Sequence, residues 1–412
     1  MNGSEVFRAT ERAARESYGR LVAHLAREAR DLAAAEDALA DAFALALENW
    51  PRDGTPANPQ GWLATVARNR LRDAARRRAT ASRSLETLTM FERDLRSAVR
   101  ATGVADRRLE LMFACAHPAI DPAMRAPLML QVVLGLDAAA IGAAYLVAPA
   151  TMGQRLSRAK AKIRDAGVPF RVPEPEERRE RMSFALEAIY AAFSNAWGEA
   201  FADDPRGRDL STEAIWLARV AAALAPGEPE TLGCLALLLY VDARRPARRD
   251  PVGSYVPLSG QDVSLWNGAA IDEAERLLSA ASIMGRPDRF QIEAAIQSAH
   301  CARRRTGATD WPAISLLYAR LYEITRSPVV AVNRAVAVAE VEGAAAGLAL
   351  LAEVEGEGGL LDFQPLWAAK AELSARAHAT EAALEAYGRA IGLERDPAAR
   401  AFLIERRARL AH

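Results

Sequence analysis

The chain is expected to be all-α. Ala and Leu recur through a sequence that is 51% hydrophobic, 26% charged and only 6% aromatic, a composition of helical globular domains. Apolar residues recur at helical rather than alternating spacing. Prolines and glycines divide the 412 residues into blocks at 51–59, near 80–89 and at 168–177, so several domains are expected.

From Asp31 to Trp50, Leu32, Ala35, Leu39, Phe43, Ala46 and Trp50 form one apolar stripe, while Asp37, Asp41 and Glu48 lie on another. The next helix opens at Asn58-Pro59, a capping residue followed by proline at the first helical position, and buries Leu63, Val66, Ala67, Leu71 and Ala74. The prolines at 51–59 are expected to prevent helix continuation between the two.

Residues 126–165 divide into a helix, a turn at Gly135, a short helix, a three-residue turn and a longer helix from Pro149. This is the outline of a helix-turn-helix. Its last helix places Met152, Leu156, Ala159 and Ile163 on a packing stripe, with Thr151, Arg155, Arg158 and Lys162 beside it.

VPFRVPEPEE at 168–177 reads as an interdomain linker. Beyond it, helix starts at Pro328, Phe363 and Pro397 recur at about 34 residues, the tetratricopeptide period, with a second series near Trp311, Ala345 and Thr380. Ala383, Tyr387 and Ala390 give the small/aromatic/small spacing that lets paired helices pack. Residues 243–268, rich in Pro, Gly and Arg, read as a long insertion of the kind that often carries function.

Net charge is zero, yet residues 1–168 hold 25 Lys and Arg against 19 Asp and Glu, leaving 28 against 34 for the remainder. A basic N-terminal half suits nucleic acid. Cys115, Cys234 and Cys301 are far apart and lack metal-ligand spacing, so neither a disulfide framework nor a metal site is expected. No apolar run reaches membrane length, and a soluble cytoplasmic protein without cofactor is expected. The absence of a GxGxxG helix opening, a phosphate-binding loop and an HExxH argues against an enzyme.

An arginine helix fits the major groove, where Arg bridges guanine edges and Thr151 or Gln154 meets bases or phosphates. In the helix after Asn58, Arg68, Arg72 and Arg76 line one side and Arg70 and Arg77 another. Trp62 and Asn69 add a stacking surface and a polar group, a mixture suited to bases that have left the duplex stack.

DLAAAEDALADAFALALENW followed by NPQGWLATVARNRLRDAARRR resembles conserved region 2 of extracytoplasmic-function sigma factors. GLDAAAIGAAYLVAPATMGQRLSRAKAKIRDAG is similar to their region 4. The ending GVPFRVP and the repeats resemble the subgroup with a tetratricopeptide-like extension, as do DARRPAR at 242–248 and SPVVAVNRAVAVAE at 327–340. YAAFSNAWGEAF at 190–201 departs from that subgroup, and Ala140, Met152 and Gly153 depart from region 4.

The resemblance implies a region 2 helical bundle (1–80), a linker (81–105), a region 4 helix-turn-helix (106–167), a proline-rich linker (168–177) and a tetratricopeptide-like regulatory domain (178–412). It implies that Asp31, Glu36, Asp37, Asp41 and Phe43 face core RNA polymerase. Asn58, Trp62, Arg68, Asn69, Arg72, Asp73, Arg76 and Arg77 would meet the downstream promoter element. Thr151, Gln154, Arg155, Arg158 and Lys162 would read the upstream one. Core polymerase, promoter DNA and a regulatory protein on the repeats are the implied partners, with no membrane. The alternative is a helix-turn-helix regulator whose repeats bind an effector or partner.

Overall fold

A computed structural model describes residues 17–81, 107–145, 147–199, 205–356 and 360–410. Among these residues helices supply the regular structure, with short 3-10 turns and one isolated antiparallel bridge between Arg249 and Tyr255. The all-α expectation holds. None of the described helices is long and apolar enough to cross a membrane. The chain forms two compact units, 1–217 and 218–412.

In the N-terminal unit, α1 (17–29) is followed by α2 (Leu32–Asp53) and α3 (Pro59–Ala81). Asp31 caps α2, its carboxylate accepting from the Ala34 N–H at 3.1 Å, which satisfies a donor the helix start leaves open. The buried face of α2 is Leu32, Ala35, Ala38, Leu39, Ala42, Ala46 and Trp50. Phe43 is only half-buried, Ala42 holding the inward position. Pro51 does not stop the helix: it sits in the last turn, and α2 ends instead at Gly54, whose φ of 84° carries the chain away.

Asn58 caps α3 as expected, accepting from the Gly61 N–H at 2.9 Å. The linker expected at 81–105 lies, beyond residue 81, outside the described residues.

α4 (Arg108–Cys115) and α5 (Pro122–Leu134) lead to Gly135, at φ 71°, where its N–H and that of Leu136 donate back to Gln131 and Leu130. A left-handed residue there favours glycine. α6 (Ala138–Ala144) is capped by the Asp137 carboxylate, which accepts from Ala139 and Ala140. α7 (Pro149–Asp165) buries Met152, Leu156, Ala159 and Ile163, the stripe its sequence spacing predicts. The helix-turn-helix outline is present from Pro122 to Asp165.

α8 (Pro175–Glu199) packs on α4 and α5. Its Phe184 lies 4.4 Å beneath the buried Arg125 guanidinium, whose Nε donates to the Ile120 carbonyl. The early part of α9 (Pro205–Leu224) brings Glu213 and Trp216 to Arg108. The helices beyond the proline-rich stretch are thus part of the N-terminal core.

The C-terminal unit continues with α10 (Pro229–Ala243), the loop 244–267 with its 3-10 turns, α11 (Gly268–Ile283), α12 (Arg289–Cys301) and the short α13 (Arg303–Thr306). α14 (Trp311–Thr325), α15 (Pro328–Glu342), α16 (Ala344–Gly356), α17 (Gln364–Arg376), α18 (Thr380–Leu393) and α19 (Pro397–Ala408) complete it, each packed on the next. Helix starts expected from the repeat spacing fall within one residue of those observed. Asp310 and Asp396 cap two of them. Ala383, Tyr387 and Ala390 are buried, the last two against Trp367 and Ala371 of α17. All three cysteines are free and buried.

Candidate nucleic-acid and polymerase interface

The α7 residues expected to read the upstream element are arranged as a surface built on a packed stripe. Thr151, Gln154, Arg155, Arg158 and Lys162 are all exposed, on the face adjacent to the four buried residues. Gly142 of α6 sets the turn before them: a Cβ there would stand 2.5 Å from the Val147 carbonyl oxygen. Close passage of the turn over α6 fixes where α7 begins.

α3 divides its arginines between two roles. Arg68 is turned inward, 8% exposed, its Nε and Nη2 donating to the two Glu28 carboxylate oxygens at 3.0 and 3.1 Å, with His24 Nε2 2.8 Å from Nη2. Burial alone would raise the Glu28 carboxyl. The His24 and Arg68 hydrogen bonds and the Arg68 charge outweigh it and hold the group down at about 2. A bidentate pair of this kind positions α3 on α1.

Asn58, Asn69, Asp73 and Arg76 are exposed, and Arg72 is half-buried. The side chain of Arg77 lies outside the described residues. Trp62 is half-buried with its ring edge-on to the buried Trp50 at 5.5 Å, so one side of the indole packs and the other reaches the surface.

The acidic residues of α2 also separate. Asp37 and Asp41 are exposed, and Asp41 lies 3.8 Å from Arg70 of α3, a pair open to solvent and so worth little. Glu36 is largely covered: Lys160 of α7 donates to it at 2.8 Å and Tyr18 of α1 at 3.1 Å. The Glu36 and Lys160 side chains are 13% and 15% exposed. α1 meets the helix-turn-helix again at Gly19, where a Cβ would fall 2.0 Å from the Val133 carbonyl oxygen. Within this unit the acidic helix α2 and the basic helix α7 therefore close on one another.

Sequence reasoning did not find α1, its His24–Glu28 pair, or Lys160 as a partner of Glu36. The i,i+4 spacing of His24 and Glu28 was a local signal for the first. Glu36 and Lys160 are 124 residues apart and carry no local signal.

Residues 14–80 match sigma-70 region 2, the segment that holds α1, α2 and α3. Residues 181–282 match a family of unknown function, DUF6596. The chain is similar to an uncharacterized protein of Rhizobium meliloti (strain 1021), 40% identical over 332 residues that span 79% of this chain and 78% of that protein. No solved structure matches. The chain belongs to one family with that rhizobial protein and carries, at residues 14–80, a segment that matches sigma-70 region 2.

Proposed function

We propose that the chain is a sigma factor of the extracytoplasmic-function type, which acts in the cytoplasm by guiding core RNA polymerase to promoters and catalyses nothing itself. The observation that carries the reading is the region 2 match at 14–80 over a helix pair with an exposed acidic side and an exposed arginine side.

On this reading Asp37, Asp41 and Phe43, with Glu36 once released, dock on polymerase, while Asp31 holds the start of their helix. Asn58, Trp62, Asn69, Arg72, Asp73, Arg76 and Arg77 follow the melted downstream element, Trp62 offering its exposed ring face for stacking. Arg68, bound to Glu28, positions them. Thr151, Gln154, Arg155, Arg158 and Lys162 enter the major groove at the upstream element.

The C-terminal unit is taken as a tetratricopeptide-like array that regulates this activity through a partner held on its curved surface. Glu36 cannot serve polymerase while Lys160 holds it, so activation includes separation of α2 from α7.

The test is abortive initiation by purified core polymerase on promoter DNA with the full chain. Open complexes and short transcripts that depend on the added chain are expected. Tight duplex binding without polymerase, and no initiation with it, would overturn the reading in favour of a helix-turn-helix regulator.

A further inference from the structure

The C-terminal unit holds an open-mouthed cavity of about 580 Å³ lined by the 257–259 turn and by α12 to α15 and α17 to α19, within the size range of small-molecule sites. Its charges are unevenly answered. Three carboxylates line it, and each is engaged by an arginine of the same wall: Glu340 by Arg376, Glu372 by Arg406 and Glu405 by Arg409. That end is internally neutral.

The other end is not. Arg303 lines the cavity beside His300, and its Nη1 and Nη2 donate to the Ser259 and Gln261 carbonyl oxygens, each at 3.0 Å. The guanidinium lies 5.2 Å over the Trp266 ring. Carbonyls and a ring hold the group in place without cancelling its charge.

A second cation stands close by. Arg244, supplied by the DARRPAR run, is 8% exposed. Its Nη2 donates to the Gln297 side-chain oxygen, and its Nη1 is buried with no hydrogen-bond partner. The ionisable groups around it include Cys301, Tyr318, His300, Arg248 and Arg303, none of them an anion at neutral pH. Burial, with the charges of Arg244 and Arg303, holds His300 down at about 4, leaving it a neutral hydrogen-bonding group. A buried cation beside a half-buried one, without a counter-charge, is costly, and a bound anion relieves that cost.

We propose that the His300–Arg303 end of this cavity binds a small organic oxyanion, a carboxylate or phosphate carried on an apolar body. Arg303 supplies the charge, the buried Arg244 nearby reinforces it and His300 adds one hydrogen bond. Trp311, Leu258, Phe402 and Leu403 line the space left for the apolar part. The proposal concerns the C-terminal unit alone and stands or falls independently of transcription.

The probes are benzoate and phenyl phosphate, with benzamide as the neutral counterpart, titrated into the full chain by calorimetry at constant ionic strength. Saturable binding of one or both anions, at least about tenfold tighter than benzamide, is expected; which anion binds better distinguishes carboxylate from phosphate chemistry. Arg303→Ala should weaken anion binding about tenfold or more, and Arg303→Lys, which keeps the charge, should weaken it less. Arg244→Met serves as a second variant, with unchanged far-ultraviolet dichroism and melting checking that each variant folds. Benzamide binding as tightly as the anions, full anion affinity in folded Arg303→Ala, or no saturable anion binding at millimolar concentration would each overturn the proposal.

Discussion

At the scale of single residues, arginine abundance says less than arginine placement. Arg68 shares a helix with Arg72 and Arg76, yet it is paired with Glu28 in the packing between α1 and α3. Because the Glu28 carboxyl is held below its ordinary value of 4.5, at about 2, its contribution is full above about pH 4.5 and is lost as pH falls towards 2. Its partial exposure reduces that contribution to about 2 kcal/mol. Glu28→Gln should therefore lower stability by about this amount at neutral pH and flatten the acid limb of a denaturant-melt series between pH 4.5 and 2. An unchanged acid limb would exclude Glu28 as its source.

Arg155 and Arg158 are the opposite case, exposed on α7. Replacing each with Ala should leave the melting temperature unchanged while reducing discrimination among upstream-element variants by about 1–3 kcal/mol per direct contact, read as relative open-complex affinity. A uniform loss on every promoter would mean phosphate contact alone.

At the scale of elements, what was legible in the sequence follows from what is local. Stripe spacing identified the buried face of α7, and proline or aspartate at the starts of α14, α15 and α19 marked the repeat helices because caps act within one turn. The break expected at 51–59 falls between α2 and α3, with Pro51 in the last turn of α2, two residues before its end. Phe43 misleads because Ala42, one position away, meets the core instead.

The helix-turn-helix offers a sharper test at Gly142. Alanine is the better helix former by about 1 kcal/mol, but its Cβ would stand 2.5 Å from the Val147 carbonyl. The steric effect should prevail: Gly142→Ala is expected to destabilise the N-terminal unit by about 1–3 kcal/mol. The corresponding fall in its melting temperature is roughly 2–10 °C.

At the scale of the whole molecule, the decisive contacts join residues far apart in sequence, and no periodicity foretells them. Lys160 and Glu36 join α7 to α2, and the cavity of the C-terminal unit draws on a loop and several helices. Such pairings become visible only when the chain has folded.

Lys160→Met removes the cation that covers Glu36 while keeping the length of the side chain. If this pair holds the N-terminal unit closed, the variant should initiate faster at limiting core polymerase, by about tenfold for each 1.4 kcal/mol by which the closed form is weakened. Initiation equal to or slower than wild type in a stably folded variant would show that the pair is structural only.

The separation of faces on α7 has a consequence for how such a protein changes over time. Met152, Leu156, Ala159 and Ile163 bear the folding of the helix, while Thr151, Gln154, Arg155 and Arg158 lie outside the core. Substitutions at the second set cost little stability, so, on the proposed DNA-reading role, a duplicated copy can drift to a different target sequence without first acquiring compensating changes in its interior. New regulatory wiring is then within reach of single substitutions.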